Sequence, residues 1–362
     1  MSGVGAQITV LLVVLVLAAA LVVLLARASG PSPADHDAVA APAAAAPDPG
    51  PSEPPARQLP LLAVVVNPTK VVDTATERAW IGGACALAGW REPLWLETTP
   101  EDPGRGQARQ ALAAGADVVA ALGGDGTVRM VAGELAATGV PLALLPAGTG
   151  NLLARNLQLP ITDRTQALRV AMLGRDRAID VAQAEIDPPV GGGGDPDAPA
   201  FLVMAGLGFD ADVMAAVDPR LKERVGWWAY VVAGAANLRG KRRRIALHMD
   251  GRAPIMRRVR SVVIGNCGAL AGGVRLMPEA LVDDGWLDVV TVSPRGLVGW
   301  VAVVTAVLTR THRTPVIEHF RCRSLEILCE EPLQAQIDGD PIGASRVLRV
   351  AVRHQGLLVR VP

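Results

Sequence analysis

The chain is poor in aromatic residues and in cysteine, and its charges balance. Phe, Trp and Tyr make up 3% of the 362 residues, so the cores must consist mainly of Ala, Val and Leu. The 35 basic and 35 acidic side chains leave no net charge, and nothing overall points to nucleic acid as a partner. Cys85, Cys267, Cys322 and Cys329 have no Cys-x-x-Cys spacing. This pattern argues against a zinc site and a disulfide framework, and it suits a reducing compartment.

The beginning of the chain is an apolar run. Residues 8–26 include no charge and one polar side chain, Thr9, and as a helix they would span roughly 28 Å, close to the hydrocarbon thickness of a bilayer. Arg27 follows the run, whereas residues 1–7 have no basic side chain of the kind that opens a signal peptide. We predict a single-pass anchor in the cell membrane over residues 1–27, with the rest of the chain in the cytoplasm.

Residues 28–60 are rich in proline and alanine and have too little hydrophobic periodicity to bury a core. We predict a disordered linker whose length, as a flexible coil, is roughly 30 Å. It would keep the rest of the chain near the membrane, although a spacer without function fits the composition equally well.

Residues 61–178 alternate strand-like and helix-like segments. Apolar strand candidates at 61–66, 93–97, 118–122 and 141–145 are separated by helical spacing at 74–88, 106–114 and 128–137. This series predicts an α/β nucleotide-binding domain with a parallel, doubly wound sheet.

Two glycine-rich loops follow neighbouring strands of this predicted sheet. The first is Gly123-Gly124-Asp125-Gly126-Thr127, and the second is Pro146-Ala147-Gly148-Thr149-Gly150-Asn151. Glycines let the backbone approach a ligand, and N–H groups at a helix start attract phosphate. Ordinary turns would explain either loop, but two on one sheet edge favour a nucleotide site. Lys70, just after the first strand, is either a phosphate ligand or a solvated loop residue.

From residue 179 the pattern changes to strands separated by Gly, Asp and Pro turns. Strand-like segments occur at 201–204, 244–249, 262–264 and 287–290, and helical spacing at 219–238 and 297–309. We predict a C-terminal β-sandwich domain over residues 179–362, whose last residues are free to return to the first domain. Residues 191–200 predict a flexible surface insertion.

Basic residues cluster at 239–244 and 257–260, with Trp227, Trp228 and Tyr230 nearby in sequence. Such a cluster is either a solvated face or a contact with anionic lipid headgroups.

The segment Gln336-Ile337-Asp338-Gly339-Asp340-Pro341 allows two interpretations. Asp-Gly between apolar strands is typical of a hairpin turn. Two carboxylates one residue apart also suit a general base and a charge partner in a cleft.

These segments together resemble the diacylglycerol kinase catalytic family, which includes bacterial lipid kinases and sphingosine kinases. The matching stretches occur in the family's order and span about residues 61–362: Asn67-Pro68-Thr69-Lys70, both glycine loops, Gly206-Leu207-Gly208-Phe209-Asp210, residues 278–288 and Ile337-Asp338-Gly339-Asp340. The resemblance implies an α/β nucleotide domain joined to a β-sandwich, with ATP in the cleft and a lipid hydroxyl as phosphate acceptor.

The resemblance also implies site residues. ATP would contact Asn67, Pro68, Thr69, Lys70, Thr98, Gly123, Gly124, Asp125, Gly126, Thr127, the helix start as far as Met130, Gly148, Thr149 and Asn151. Magnesium would be held by Asp284 and the backbone carbonyls of Leu281 and Trp286, and the catalytic base would be Asp338 or Asp340. The chain departs from the family at Arg129-Met130, where Asn-Glu is frequent, at Leu152, where Asp is frequent, and at Asp340, where Glu is frequent.

The leading hypothesis is thus an ATP- and Mg²⁺-dependent lipid kinase acting on diacylglycerol, a sphingoid base or another lipid alcohol. An NAD kinase shares the first glycine loop, and the departures leave open a nucleotide or lipid sensor without turnover. Expected partners are the lipid substrate and a membrane with anionic headgroups, and a homodimer is left open.

Overall fold

The computed structural model describes residues 59–187, 199–208, 241–268, 277, 279–309 and 315–362. The predicted anchor, nearly all of the predicted linker and the predicted helix at 219–238 lie outside these residues, and so do positions 191–198 of the predicted insertion. Within the described part of the chain, no helix is long and apolar enough to cross a membrane.

The N-terminal half contains four parallel strands, in the spatial order Leu94–Glu97, Leu62–Val66, Val118–Gly123 and Leu142–Pro146. Their side chains are buried on both faces, because helices cover the sheet from both sides. Ile81 and Leu168 come from helices on one face, whereas Ala108 and Val131 come from helices on the other. The predicted doubly wound α/β domain is confirmed. Its elements are β1 Leu62–Val66, α1 Thr74–Leu87, β2 Leu94–Glu97, α2 Arg105–Ala113, β3 Val118–Gly123, α3 Asp125–Leu135, β4 Leu142–Pro146, α4 Leu152–Asn156 and α5 Arg164–Leu173.

The helices of this half begin in two different ways. Asp73 caps α1 by accepting hydrogen bonds from the N–H groups of Ala75 and Thr76, and Asp163 caps α5 in the same manner. Helix α3 begins after Gly124 without a side-chain cap. The first N–H groups of α3 therefore remain available to a ligand.

The C-terminal half is rich in antiparallel strands, as predicted. Six of these strands lie side by side in the order Ile317–Cys322, Leu287–Val292, Ser261–Gly265, Met204–Leu207, Ser324–Ile337 and Asp340–Val361. Val359, near the end of the last of them, pairs in parallel with Leu142 of β4. One sheet thus runs through both halves. The elements are β5 Arg175–Asp187, β6 Ala200–Phe201, β7 Met204–Leu207, β8 Arg243–Met249, β9 Ile255–Val259, β10 Ser261–Gly265, β11 Leu287–Val292, α6 Gly296–Thr309, β12 Ile317–Cys322, β13 Ser324–Ile337 and β14 Asp340–Val361.

The single strand predicted at 201–204 is wrong. The chain leaves the ladder at Leu202 and Val203, between β6 and β7. The N–H groups of both residues donate to the carboxylate of Asp338 instead of to a neighbouring strand. The Asp338 carboxylate therefore takes the place of a strand partner at this break.

Candidate active site

The two glycine loops are in direct contact at the carboxyl ends of β3 and β4. A β-carbon added to Gly148 would lie 2.6 Å from the Cα of Gly124, and Ala147 donates its N–H to the carbonyl of Gly123 at 3.0 Å. Only residues without side chains permit this approach. The loops therefore form one backbone surface beside the uncapped start of α3, a geometry that suits phosphate.

Asp125 links the two loops. Its Oδ1 accepts the N–H of Leu152 at 2.6 Å. Burial raises the pKa of Asp125, while backbone N–H groups, including that of Leu152, act in the opposite direction. Asn151 has a φ of 47° and closes its own loop, because its Oδ1 accepts from Gly148 at 3.1 Å and its Nδ2 donates to the Gly148 carbonyl at 2.7 Å.

Thr127 and Gly126 differ in what they offer a ligand. Thr127 is 4% exposed, and a β-carbon on Gly123 would lie 2.7 Å from its Oγ1, so this side chain packs against the loop. Gly126 is partly exposed. Thr149 is exposed.

The segment after β1 lies at the same edge of the sheet. Asn67 donates its N–H to the Leu122 carbonyl at 2.9 Å, and its Oδ1 accepts from both the N–H (3.0 Å) and the hydroxyl (2.7 Å) of Thr69. This cap fixes the short 3₁₀ turn Pro68–Lys70, on which Thr69 and Lys70 are exposed. Thr98 is buried and donates its N–H to Val66 at 2.8 Å. A cavity of about 710 Å³ opens here, and its wall includes Lys70, Trp80, Leu122, Pro146, Ala147 and Arg164.

The acidic turn joins β13 to β14. Asp338 and Gly339 have φ values of 47° and 91°, as a tight hairpin with two left-handed residues requires. The Asp338 carboxylate accepts the N–H groups of Leu202, Val203 and Met204 at 3.2, 3.1 and 2.9 Å. Burial raises the pKa of Asp338 to about 6, although these N–H groups and the Arg129 charge oppose the rise. The hairpin is confirmed, and its turn positions the two carboxylates.

Asp340 brings this turn to the nucleotide loop. Its Oδ2 lies 2.7 Å from Arg129 Nη2, and a β-carbon added to Gly126 would be 3.9 Å from the same oxygen. The two halves of the chain therefore meet where the phosphate-binding geometry and the carboxylates coincide. Sequence reasoning noted Arg129 as a departure from the family but did not predict this contact.

The residues predicted to bind magnesium lie on another segment. Asp284 Oδ1 accepts the N–H of Trp286 at 3.0 Å, its Oδ2 forms an ion pair with Arg321, and Leu281 is 58% exposed. Burial raises the pKa of nearby Asp288 to about 6, with Arg321 opposing the rise and Asp284 contributing to it. Among the described residues, no three His, Cys, Asp or Glu side chains form a group that could hold a metal. The magnesium site stays a prediction.

A buried network that the sequence did not predict joins this segment to the acidic turn. Asp180 is fully buried and accepts the N–H of Gly285 at 2.6 Å; it also contacts His354 Nδ1 at 2.8 Å. Asn266 Nδ2 donates to the carbonyls of Asp180 and Leu202 at 3.0 and 3.1 Å. Leu202 in turn donates to Asp338. The only sequence signal was a polar residue between apolar neighbours.

Part of the predicted basic cluster is paired with glutamates. Arg243 forms an ion pair with Glu331, and Arg257 Nε lies 2.5 Å from Glu318 Oε2. Arg242 differs, because burial and the charges of Arg295 and Arg258 lower its pKa. Lipid contact of the cluster at 239–244 and 257–260 stays a prediction.

Comparison with known proteins agrees with this geometry. The model of the family described as "Diacylglycerol kinase catalytic domain" matches residues 62–184. A second model, "YegS C-terminal NAD kinase beta sandwich-like domain", matches residues 203–359. A protein of Stenotrophomonas maltophilia (strain K279a) named probable lipid kinase YegS-like is 33% identical over 65% of this chain and 76% of its own length. The chain belongs to the diacylglycerol kinase catalytic family. Membership makes it a kinase of the lipid-kinase class.

A second relative and a solved structure extend the comparison. A Xanthomonas campestris pv. campestris (strain 8004) protein of the same name is 32% identical over 70% of this chain and 81% of its own. The crystal structure of a diacylglycerol kinase from Bacillus anthracis str. Sterne has a TM-score of 0.65 at 20% identity, covering 85% of this chain and 99% of that one. This structural likeness supports the two-domain fold.

Proposed function

We propose that the protein transfers the γ-phosphate of ATP to the hydroxyl of a lipid alcohol such as diacylglycerol or a sphingoid base. The observation that carries the proposal is the meeting of the Asp338–Asp340 turn with the uncapped start of α3. Phosphoryl transfer needs a backbone surface that holds the phosphates and a carboxylate that takes the acceptor proton. Both elements converge at Gly126.

Asp338 is the better candidate for the base. Its raised pKa of about 6 leaves it ionised near neutral pH yet basic enough to accept a proton as the hydroxyl attacks. Asp340 is engaged in an ion pair, because its Oδ2 lies 2.7 Å from Arg129 Nη2. Asp340 would instead belong to the electrostatic frame around the transferred group.

The glycine loops fit the triphosphate of ATP, because their contact at Gly124 and Gly148 forms one backbone surface beside the uncapped start of α3. Asn67, Lys70 and Thr98 lie at the same sheet edge. Magnesium bound with ATP would offset charge on the transferring phosphoryl group. Asp284 and the carbonyls of Leu281 and Trp286 offer hard oxygen ligands of the kind that magnesium takes, and occupation of Asp284 would displace Arg321.

A membrane location follows from the same substrate class. The apolar run at 8–26 and the linker at 28–60 would tether the kinase to the cell membrane from the cytoplasmic side. Arg242, Arg258 and Arg295 would add attraction to anionic headgroups. Binding of the full chain to vesicles with and without phosphatidylserine tests this part. Equal binding to both would remove the headgroup contact.

The test of the main proposal is transfer of labelled γ-phosphate from ATP, with Mg²⁺, to a panel of lipid alcohols in vesicles. We expect labelling of one lipid class and a loss of about 10²- to 10⁴-fold in Asp338→Asn, as for removal of a general base. Asp250→Asn is the matched control. Asp250 also precedes a glycine at a turn and accepts two backbone N–H groups, at 2.8 and 2.9 Å, but it lies between β8 and β9.

Soluble NAD serves as the rival acceptor in the same assay. Transfer to NAD with none to lipids would replace the lipid proposal with an NAD kinase. ATP binding without transfer to any acceptor would favour a sensor. Neither outcome is expected, because the Asp338 turn is built next to the nucleotide surface.

A further inference from the structure

Arg129 is a buried cation inside the proposed site. It lies on α3 one turn after Gly126, and its side chain is 8% exposed. Its Nη2 contacts Asp340, and its Nε is buried without a hydrogen-bond partner in the part of the chain that the structure describes. Burial of a guanidinium is costly unless a carboxylate compensates it. Asp340 supplies that compensation from a position 211 residues away.

Asp340 in turn depends on Arg129. The Asp340 side chain is 55% exposed and its Oδ2 faces Gly126, where the phosphates of ATP would lie. An uncompensated carboxylate at that point would repel a triphosphate, whereas the adjacent guanidinium cancels most of its field.

We propose that Arg129 is a positioning residue that neutralises Asp340 and holds the acidic turn against the phosphate-binding end of α3. The inference rests on the proposed function and extends it to nucleotide affinity and to the chemistry of Asp338. Arg129 and Asp340 are also two of the positions at which the sequence departs from the family pattern. The structure shows that the two side chains contact each other. Arg129 is longer than the Asn that is frequent at its position, and Asp340 is shorter than the Glu that is frequent at its own.

The first test measures the affinity for ATP with Mg²⁺ by calorimetry, which needs no turnover. Arg129→Met leaves a bare carboxylate near the phosphates, and we expect a dissociation constant about 10-fold higher. Asp340→Asn leaves an unpaired cation, so its affinity should exceed that of the wild type. The double variant should return to within about twofold of the wild type, since a unit charge is removed on each side.

Arg109→Met is the matched control. Arg109 Nε lies 2.7 Å from Glu134 Oε2, so this variant also breaks an ion pair made by α3, but at the other end of the helix. Its ATP affinity should be unchanged. Weaker ATP binding in Asp340→Asn, or a double variant as weak as Arg129→Met, would overturn the proposal.

A pH profile separates positioning from a purely structural role. The Arg129 charge lowers the pKa of Asp338, so Arg129→Met should move the acid limb of kcat/KM to higher pH, whereas Arg129→Lys, which keeps the charge, should not. An unmoved limb in an active, folded Arg129→Met would contradict the inference. If Arg129→Met does not fold, Asp340→Asn still tests the proposal by its tighter ATP binding, with the charge-conserving Arg129→Lys, expected to bind ATP like the wild type, as its reference. If the wild type phosphorylates no lipid, the proposed function is refuted. The ATP affinities of the two single variants and the double variant still test the role of Arg129, because they need no turnover.

Discussion

Asp125 Oδ1 accepts the N–H of Leu152 at 2.6 Å, so a carboxylate at the start of α3 also closes the start of α4. Through this bond the first glycine loop fixes the position of the second. The nucleotide surface is therefore held by a side chain that is itself part of a loop.

The Asp125 link can be broken without changing the glycines. Asp125→Ala removes the acceptor for Leu152, and we expect a loss of roughly 1.5–3 kcal/mol in the free energy of unfolding, as for a hydrogen bond to a charged group. Asp125→Asn retains an oxygen acceptor and should lose less stability, but we expect a large loss of phosphoryl transfer because the charge is gone. Chemical denaturation and the transfer assay measure the two effects. Full activity in Asp125→Asn would show that the charge is not needed.

The contact between the loops predicts a different result at two glycines. Gly148→Ala places a methyl group 2.6 Å from the Cα of Gly124, and backbone atoms must move, at a cost of roughly 1–3 kcal/mol. ATP affinity should fall as well. Gly82→Ala is the control, because nothing lies within 4 Å of the added carbon in the middle of α1, where alanine should stabilise by up to about 1 kcal/mol. Thermal unfolding and ATP titration would compare them, and unchanged ATP binding in Gly148→Ala would mean that the loops need not touch.

The sequence predicted the α/β half well because its signals are local. Short apolar runs alternate with helical spacing, and two of the runs end at Gly123 and Pro146, so each element is specified by its own residues. The hairpin at Asp338-Gly339 is equally local, since two left-handed residues in succession favour Asp and Gly.

What the sequence did not predict depends on distant residues. Arg129 and Asp340 are far apart in the chain, and only the return of β13 and β14 to β7 and β4 brings them together. The break at Leu202 follows from the Asp338 carboxylate rather than from any turn residue. Asp250-Gly251 is also an Asp-Gly dipeptide in which both residues have positive φ, like Asp338-Gly339. The sequence alone does not distinguish a turn near the nucleotide from a turn remote from it.

The pKa of Asp338 predicts how the reaction depends on pH. A base with a pKa of about 6 is protonated and inactive below that value, so kcat/KM should rise with pH and level off above roughly 7. The raised pKa of Asp338 also makes the free energy of unfolding depend on pH. The pKa of Asp338 is higher in the folded protein than in the unfolded chain, so the folded protein binds more protons in this range. The contribution of Asp338 to the free energy of unfolding therefore falls as pH rises from about 4 to 6. A rate profile without an inflection near 6 would exclude Asp338 as the base.

The neighbouring carboxylates Asp283 and Asp284 allow a test of the predicted magnesium site. If Asp284 binds the ion, Mg²⁺ should raise the unfolding temperature of the protein, since a ligand at 100 times its Kd adds about 2.7 kcal/mol. Asp284→Asn should lose this response. Asp283→Asn should keep it, because Asp283 pairs with Arg177 at 2.6 Å and is not in the predicted ligand set.

Arg321 allows a second test of the predicted magnesium site. It occupies Asp284 Oδ2, so a bound cation must displace its guanidinium, and Arg321→Met should lower the Mg²⁺ concentration at which the unfolding temperature rises. Without metal, the same variant should lose more stability between pH 5 and pH 7 than the wild type does, because removing Arg321 raises further the pKa of the buried Asp288 carboxyl and makes its ionisation more costly. A wild type whose unfolding temperature does not respond to Mg²⁺ would refute a magnesium site at Leu281, Asp284 and Trp286, and Arg321 would then be the permanent partner of Asp284.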